Sequence, residues 1–184
     1  MMLKNDRVIP NFDDEKNESL AITLEPSAGV DNCVTVNLDG SIDTANSAFF
    51  LGRGTKIIDS GFVNLIFDCG NLADLSSTGV GVFAALLRMV RRRGGDLVLT
   101  GAQPRVCEKF RLLGFAECFT LKGDREEAVA FLQRNNAIAG ILFPKTFACP
   151  VCRKNLAVRG TGRFLCPECG CVMGVNDQGQ ILLG

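Results

Sequence analysis

The chain has 184 residues, in which 20 Lys+Arg balance 20 Asp+Glu, with nine cysteines and no histidine, tryptophan or tyrosine. Zero formal net charge argues against capture of nucleic acid or an anionic membrane by overall charge. The absence of histidine excludes Ser-His-Asp and Cys-His nucleophile pairs, so any metal site must use cysteine or carboxylate ligands. No apolar run reaches about 18 residues and no signal-peptide pattern is visible, so we expect a cytoplasmic protein that does not enter a membrane.

Four regions follow one another along the chain. Residues 1–19 are a polar segment that we expect to be loose, and residues 20–134 are predicted to form an α/β domain. Residues 135–146 are predicted to be a linker, and residues 147–184 a small module rich in cysteine and glycine. The cysteines outside this module lie among apolar residues and are expected to be small buried side chains. They are Cys33, Cys69, Cys107 and Cys118.

Strand-like and helix-like periods alternate through the α/β region. Period-two or continuous apolar runs predict strands at 20–24, 33–38, 63–67, 97–100 and 119–121. Amphipathic patterns predict helices from 44 to about 58 and over 78–93, 104–113 and 125–134. This order predicts a small, mostly parallel or mixed sheet flanked by helices.

A serine- and glycine-rich turn, D-L-S-S-T-G-V-G-V at residues 74–82, precedes the second predicted helix. Ser76, Ser77 and Thr78 are suitable caps, because a hydroxyl oxygen accepts an unpaired first-turn N–H. Gly79 and Gly81 cost helix propensity, which indicates close packing or the approach of another molecule. From the residues alone, the turn is either a plain helix cap or an exposed hydroxyl at an anion-favouring helix N-terminus.

Several segments together resemble the STAS domain, the family of bacterial anti-sigma factor antagonists and their relatives. They are L-D-G-S-I-D at 38–43, the apolar strand before Asp68, S-S-T-G-V-G-V at 76–82, R-R-G-G-D-L-V-L at 92–99 and P-R-V at 104–106. The resemblance covers about residues 20–134. It implies a small sheet with a mixed edge, flanked by helices.

The resemblance also implies a function. Regulatory members bind an anti-sigma factor that is also a serine kinase, and phosphorylation of a serine two residues before the first turn glycine releases them. Ser77 matches that serine and Thr78 the hydroxyl residue after it, while Asp43 lies in a loop expected near the same surface. The partner-binding set is therefore Asp43, Ser76, Thr78, Gly79 and Gly81.

One position departs from the family pattern. Many phosphorylatable members have aspartate directly before the serine, and here that residue is Ser76. The loss of the carboxylate leaves Ser76 and Thr78 open as alternative phosphorylation sites. It also leaves open a STAS scaffold that is never phosphorylated.

The C-terminal module has two CxxC motifs separated by thirteen residues, C-P-V-C at 149–152 and C-P-E-C at 166–169. Each motif can direct two thiolates at one metal, and two of them supply the tetrahedral sulfur set that Zn²⁺ prefers. The spacer suits a hairpin, with strands at 156–158 and 163–165 around the turn Gly160-Thr161-Gly162. Residues 147–175 resemble the zinc-ribbon family.

The predicted ligands are Cys149, Cys152, Cys166 and Cys169, and Cys171 is a spare sulfur. Four thiolates leave no open coordination position, so we expect one structural zinc ion and no catalytic metal. The module is mildly basic and Phe164 is its main exposed-aromatic candidate. We rank contact with a protein ahead of contact with nucleic acid.

These observations favour a non-enzymatic regulatory protein. Its STAS domain would bind an anti-sigma factor with serine kinase activity through the turn at 76–81, under control of Ser77 phosphorylation. The alternatives are a constitutive, unphosphorylated scaffold and a nucleic-acid-binding module that acts through the zinc ribbon. The cluster Arg88-Met89-Val90-Arg91-Arg92-Arg93 is either a solvated helix face or a docking patch for an acidic partner.

Overall fold

The computed structural model describes residues 5–142, 144–160, 162–176 and 180–183. Parts of the predicted regions lie outside these residues, namely residues 1–4 of the N-terminal segment, Phe143 of the linker, and Thr161, 177–179 and Gly184 of the C-terminal module. The chain divides by its internal contacts into two units, Met1–Gln133 and Arg134–Gly184. No helix in the described part of the chain is long and apolar enough to cross a membrane.

The first unit is built on a five-stranded sheet in the order β1-β2-β3-β4-β5. Its strands are β1 (Leu20–Pro26), β2 (Cys33–Ile42), β3 (Asn64–Leu75), β4 (Leu97–Thr100) and β5 (Thr120–Lys122). Strand β1 pairs antiparallel to β2, and the other neighbours pair in parallel. The predicted mixed sheet is therefore confirmed.

Four helices flank this sheet, namely α1 (Ser47–Asp59), α2 (Ser77–Arg92), α3 (Pro104–Leu112) and α4 (Arg125–Leu142). Helices α1, α2 and α3 share the larger core cluster with alternate residues of the strands, among them Leu65 and Phe67. The intervening Ile66 belongs to a second cluster with Ala128 and Leu132 of α4. Adjacent side chains of β3 thus enter opposite cores, which explains its continuous apolar run.

The N-terminal segment is packed, contrary to the expectation that it is loose. Ile9 and Phe12 are almost completely buried in the main core. The Asn5 side chain donates to the Ile22 carbonyl at 2.8 Å and accepts from the Leu24 N–H at 2.7 Å. The side-chain amide of Asn5 therefore takes the place of a neighbouring strand for one carbonyl and one N–H on the outer edge of β1. The polar average of the segment conceals these few anchoring residues.

Two predicted boundaries are also wrong. Helix α4 continues to Leu142 instead of ending near Arg134. Two alanines and a leucine among residues 137–142 favour this continuation despite Gly140, and the next proline is Pro144. Strand β3 extends to Leu75, well beyond the predicted end at Phe67.

Of the dispersed cysteines, Cys33 and Cys69 are buried as expected and Cys107 is half-buried, but Cys118 is exposed. Burial, reinforced by the nearby Asp68 carboxylate, raises the pKa of the Cys69 thiol. Cys118 lies in the short segment between α3 and β5, where the chain follows the surface.

The second unit consists of short antiparallel strands. They are β6 (Lys145–Ala148), β7 (Asn155–Val158), β8 (Gly162–Leu165), β9 (Val172–Val175) and β10 (Ile181–Leu183). Strand β6 pairs with β7, while β8, β9 and β10 form a separate sheet in the order β10-β9-β8. A small β module was predicted and is confirmed.

Candidate partner-binding turn and candidate metal centre

Parallel pairing of β2 and β3 brings the predicted binding residues together beyond the C-terminal ends of these two strands. The two strands end together, with Ile42 opposite Leu75. The Ser76 N–H donates to the Ile42 carbonyl at 2.8 Å. The loop after β2, which carries Asp43, therefore lies beside the turn that begins α2.

The three hydroxyl residues of this turn have different roles. Ser76 is the N-cap of α2, and its Oγ accepts the Gly79 N–H at 3.1 Å. The Thr78 Oγ1 lies 3.4 Å from the Thr44 Oγ1. Ser77 is the first helical residue and is exposed, and among the described residues its hydroxyl has no hydrogen-bond partner. Ser77 thus carries the one unengaged hydroxyl of the three.

Asp43 shapes the neighbouring loop. Its Oδ1 accepts the Asn46 N–H at 2.9 Å, and the Asn46 Oδ1 accepts the Asp43 N–H at 2.9 Å. Asn46 also donates from Nδ2 to the Ser41 carbonyl at 2.8 Å. This reciprocal pairing fixes the loop in which Thr44 reaches Thr78, a contact that sequence reasoning missed because it joins residues distant in sequence.

The two turn glycines have different surroundings. A Cβ on Gly79 would lie 2.6 Å from the Leu75 Cδ1 and 2.7 Å from the Ile42 Cγ2, so close packing requires glycine there. A Cβ on Gly81 would meet no atom within 4 Å, and Gly81 is exposed. Packing within the chain therefore explains Gly79 but gives no reason for Gly81.

The exposed face of α2 continues from this turn into the arginine cluster. This face carries, at helical spacing, the exposed Ser77, Gly81, Arg88 and Arg92, with the half-buried Ala85 between Gly81 and Arg88. Two other arginines are paired, Arg91 with Asp96 at 3.2 Å and Arg93 with Asp59 at 2.7 Å. In the described part of the chain, neither Arg88 nor Arg92 has an ion-pair partner.

One carboxylate near the turn was not singled out from the sequence. Asp74 lies at the end of β3, 3.2 Å from the Lys109 ammonium of α3. The N–H of Leu75 and the Lys109 ammonium lower the pKa of the Asp74 carboxyl. The sequence shows that Asp74 lies three residues before Ser77. It does not show the ion pair between Asp74 and Lys109, which lies in a separate helix.

The predicted metal ligands converge in the second unit. The Sγ atoms of Cys149, Cys152, Cys166 and Cys169 all lie within 4.8 Å of one another. Two contacts join the CxxC motifs, Cys149 to Cys169 at 3.7 Å and Cys152 to Cys166 at 3.6 Å. Four sulfurs around Zn²⁺ at about 2.3 Å would lie about 3.8 Å apart at the corners of a tetrahedron. The sulfur set therefore fits one metal ion of this kind.

Each CxxC motif is the turn of its own hairpin, the first between β6 and β7 and the second between β8 and β9. The Arg153 N–H donates to the Cys149 carbonyl at 2.9 Å, and the Gly170 N–H donates to the Cys166 carbonyl at the same distance. Arg153 and Gly170 both have a left-handed backbone, with φ of 62° and 69°. The two motifs are therefore structural repeats, in which Cys149 corresponds to Cys166.

This pairing corrects the predicted hairpin. The two strands of the thirteen-residue spacer, β7 and β8, belong to different sheets and do not pair with each other. Each strand instead pairs with a partner across its own CxxC turn. Phe164 also differs from expectation, since it is half-buried against the cluster of Cys149, Cys166 and Met173.

Backbone donors favour the thiolate form at two of the ligands. The Cys152 N–H lowers the pKa of the Cys149 thiol to about 6, and the Cys171 N–H lowers the pKa of the Cys169 thiol. At Cys152 the Lys154 N–H acts in the same direction, but contacts with the neighbouring sulfurs outweigh it and raise the pKa of that thiol to about 12. The amides therefore favour the deprotonated sulfur that metal binding needs at Cys149 and Cys169.

Comparison with known proteins gives two family matches. The STAS domain model matches residues 26–128, and the model of a domain of unknown function (DUF8512) matches residues 146–184. The chain is 30% identical over 101 residues to the "Putative anti-sigma factor antagonist BtrV" of Bordetella bronchiseptica, covering 55% of this chain and 87% of that protein. It is 25% identical over 99 residues to the anti-sigma-B factor antagonist of Bacillus subtilis, covering 54% of this chain and 90% of the relative.

Among solved structures, the fold is similar to an anti-sigma factor antagonist from Mycobacterium paratuberculosis. The TM-score is 0.56 at 18% identity, over 65% of this chain and 98% of that one. This likeness supports the assignment of the fold. It gives no information on the second unit, for which the matching model describes no function.

Proposed function

Since residues 26–128 match the STAS domain model, the chain belongs to the STAS domain family, and we propose that it is a regulatory binding protein switched by phosphorylation of Ser77. In this proposal it acts in the cytoplasm as an anti-sigma factor antagonist and is not itself an enzyme. Its partner is an anti-sigma factor that is also a serine kinase. The names of the curated relatives support an anti-sigma factor as the partner.

The observation that carries the proposal is the Ser77 hydroxyl at the start of α2, which is exposed and has no hydrogen-bond partner in the described part of the chain. Ser76 is engaged as the cap, and Thr78 lies within hydrogen-bond distance of Thr44. A kinase that approaches the turn meets Ser77 without first breaking an existing hydrogen bond. Ser77 is therefore preferred over Ser76 and Thr78.

The helix N-terminus makes the modification compatible with the fold. A phosphate would add roughly −1.5 to −2 charges at neutral pH. The first-turn N–H groups and the helix dipole favour an anion at that position. The added charge and volume act instead on the partner, which must contact the same exposed turn.

The second unit serves, in this proposal, as a zinc-stabilised module that provides a further protein contact. Zn²⁺ supplies a structural link between the two CxxC turns, and the four thiolates of Cys149, Cys152, Cys166 and Cys169 would hold it. Arg153, Arg159 and Arg163 are exposed on this unit. Phe164 is half-buried, so it is less available for the base stacking typical of single-strand nucleic-acid binding.

A constitutive scaffold remains the second candidate, favoured by Ser76 in place of the usual aspartate. The two functions differ in one measurable respect. A switch loses partner binding when Ser77 is modified, whereas a scaffold that binds through another face does not.

The test compares affinity capture from the native cells by the wild-type chain, Ser77→Asp, Ser77→Ala and the control Ser60→Asp. Ser60 is an exposed serine at the C-terminal end of α1, whereas the loop that carries Asp43 precedes the N-terminal end of that helix. We expect the wild-type chain, Ser77→Ala and Ser60→Asp each to capture an anti-sigma factor with serine kinase activity. Ser77→Asp should lose at least tenfold in affinity, because it places negative charge within the contact.

Mass spectrometry of the native chain completes this test. Phosphate on Ser77, and its loss in Ser77→Ala, is the expected result. Phosphate retained at Ser76 or Thr78 in that variant would contradict the assignment. Full binding by Ser77→Asp would favour the constitutive scaffold.

A further inference from the structure

The second unit holds a fifth thiol that its repeated architecture does not explain. In the first CxxC turn, the Cys149 N–H donates to the Lys154 carbonyl at 2.8 Å. In the second, the Cys166 N–H donates to the Cys171 carbonyl at 2.9 Å. Cys171 therefore occupies the position that corresponds to Lys154. The two motifs complete a four-sulfur set without it, so the metal site does not account for a sulfur there.

Cys171 nevertheless contacts that set. Its Sγ lies 3.3 Å from the Cys149 Sγ, closer than the 3.7 Å between Cys149 and Cys169. A disulfide needs a separation of about 2.05 Å, so the two side chains must turn towards each other before it can form. The two residues are 22 positions apart and lie in different hairpins, so a bond between them would join the two CxxC turns directly.

Cys171 is the sulfur of this cluster that is both outside the proposed metal set and accessible to an oxidant. Cys171 is partly exposed, whereas Cys149 is only 1% exposed. Cys152 and Cys169 are more exposed, but in the proposed metal centre their sulfurs are bound to the cation. Cys171 is thus the accessible uncoordinated thiol beside a buried metal ligand that can act as its resolving partner.

We propose that Cys171 makes the ribbon sensitive to peroxide, through a Cys149–Cys171 disulfide that removes one ligand from the metal. The Cys171 sulfur attacks one peroxide oxygen, the O–O bond breaks, and a sulfenic acid and one water result. The Cys149 thiolate leaves the cation, attacks the Cys171 sulfur and displaces hydroxide, which takes a proton from the solvent to become the second water. The two sulfurs lose two electrons, and one hydrogen peroxide is reduced to two waters.

The consequence for the module follows from its small core. Among the described residues, the cluster around the cysteines contains only three buried side chains, Cys149, Cys166 and Met173. Loss of one thiolate leaves three ligands and lowers the affinity for the cation. Since so small a unit depends on its metal for folding, oxidation should loosen it. This inference rests on the metal centre of the proposed function but not on the Ser77 switch.

The test exposes the zinc-loaded full chain to hydrogen peroxide. Zinc release is followed with a chromophoric chelator, and disulfides are mapped by alkylation and peptide mass spectrometry. The variants are Cys171→Ser, Cys171→Ala and the control Cys118→Ser, which removes an exposed thiol from the first unit. We expect wild type and Cys118→Ser to form the Cys149–Cys171 bond and release zinc together, and both Cys171 variants to release it at least tenfold more slowly. Added dithiothreitol should restore zinc binding in the wild type.

Three results would overturn the proposal. The first is equal release rates in wild type and the Cys171 variants. The second is a dominant disulfide between other cysteines. The third is a Cys171 variant that holds no zinc before oxidation, since Cys171 would then be a ligand. If the wild-type chain takes up no zinc, the metal centre fails separately, and the first disulfide formed in the metal-free chain still decides whether Cys149 and Cys171 are paired.

Discussion

Ser76 replaces the family's usual aspartate without disturbing the start of α2. Serine and aspartate are both strong N-caps, because each has a side-chain oxygen that can accept a first-turn N–H. Here the Ser76 Oγ performs that role towards Gly79. The substitution therefore removes a negative charge beside Ser77 while it preserves the local geometry. A phosphate on Ser77 would meet less repulsion than beside an aspartate.

The two turn glycines, Gly79 and Gly81, form a matched pair for mutagenesis. Gly79→Ala should destabilise the first unit by about 1–3 kcal/mol, because its methyl group would press against the buried Leu75 and Ile42 side chains. Gly81→Ala should leave stability unchanged or raise it by up to about 1 kcal/mol, since alanine is the better helix former. Urea unfolding of both variants measures the difference.

The partner contact gives the same pair a second readout. If Gly81 is kept for close approach by the partner, Gly81→Ala should weaken capture of the kinase although the chain folds normally. Unchanged capture would contradict that explanation. A Gly79→Ala chain as stable as wild type would show that the buried Ile42 and Leu75 side chains can move aside for the added methyl group at little cost.

Helix α2 connects the turn with the arginine cluster. The cluster had two interpretations from the sequence, a solvated helix end and a docking patch. Ion pairs occupy Arg91 and Arg93, whereas Arg88 and Arg92 continue the exposed stripe that begins at Ser77. If the cluster is a docking patch, Arg88 and Arg92 are therefore the residues available to contact the partner.

Charge reversal on this stripe tests the docking interpretation. Arg88→Glu and Arg92→Glu should each reduce partner affinity about fivefold to tenfold, roughly 1–1.4 kcal/mol, and lessen its dependence on salt. Arg111→Glu, an exposed arginine on α3, is the control and should bind as wild type. Titration calorimetry at two ionic strengths gives both quantities. Equal losses in all three variants would indicate a general charge effect.

The whole molecule combines two units whose stability has different sources. The first unit has an extensive apolar core that includes a group of edge-to-face phenylalanines, among them Phe50, Phe67 and Phe83. The second has a small core around its cysteines. A unit of this size can hardly bury enough apolar surface to fold alone, so metal binding should contribute much of its folding free energy.

Metal removal should therefore affect the two units separately. A strong chelator should release about one zinc per chain and unfold residues 147–184, while the STAS domain retains its structure. Hydrogen exchange read by mass spectrometry distinguishes the units, with Cys149→Ser as a metal-deficient comparison. Protection that persists throughout the second unit after complete metal removal would show that the unit does not depend on a metal.

The sequence by itself determined the features that depend on local order. The alternating periods predicted the sheet and its helices, the segments at 38–43 and 76–82 indicated the STAS family, and the spacing of two CxxC motifs predicted the sulfur quartet. These features were readable because hydrophobic period and motif spacing act over short stretches of chain.

Only the tertiary structure decided which groups are engaged and which are free. It paired Thr78 with Thr44, used Ser76 as a cap and left the Ser77 hydroxyl without a partner among the described residues. It packed Ile9 and Phe12 of a polar segment into the core, separated β7 from β8, and brought Cys171 against Cys149. The Thr78–Thr44 and Cys171–Cys149 contacts and the burial of Ile9 and Phe12 join residues distant in sequence. They therefore depend on how sheet register and hairpin pairing place separate segments side by side.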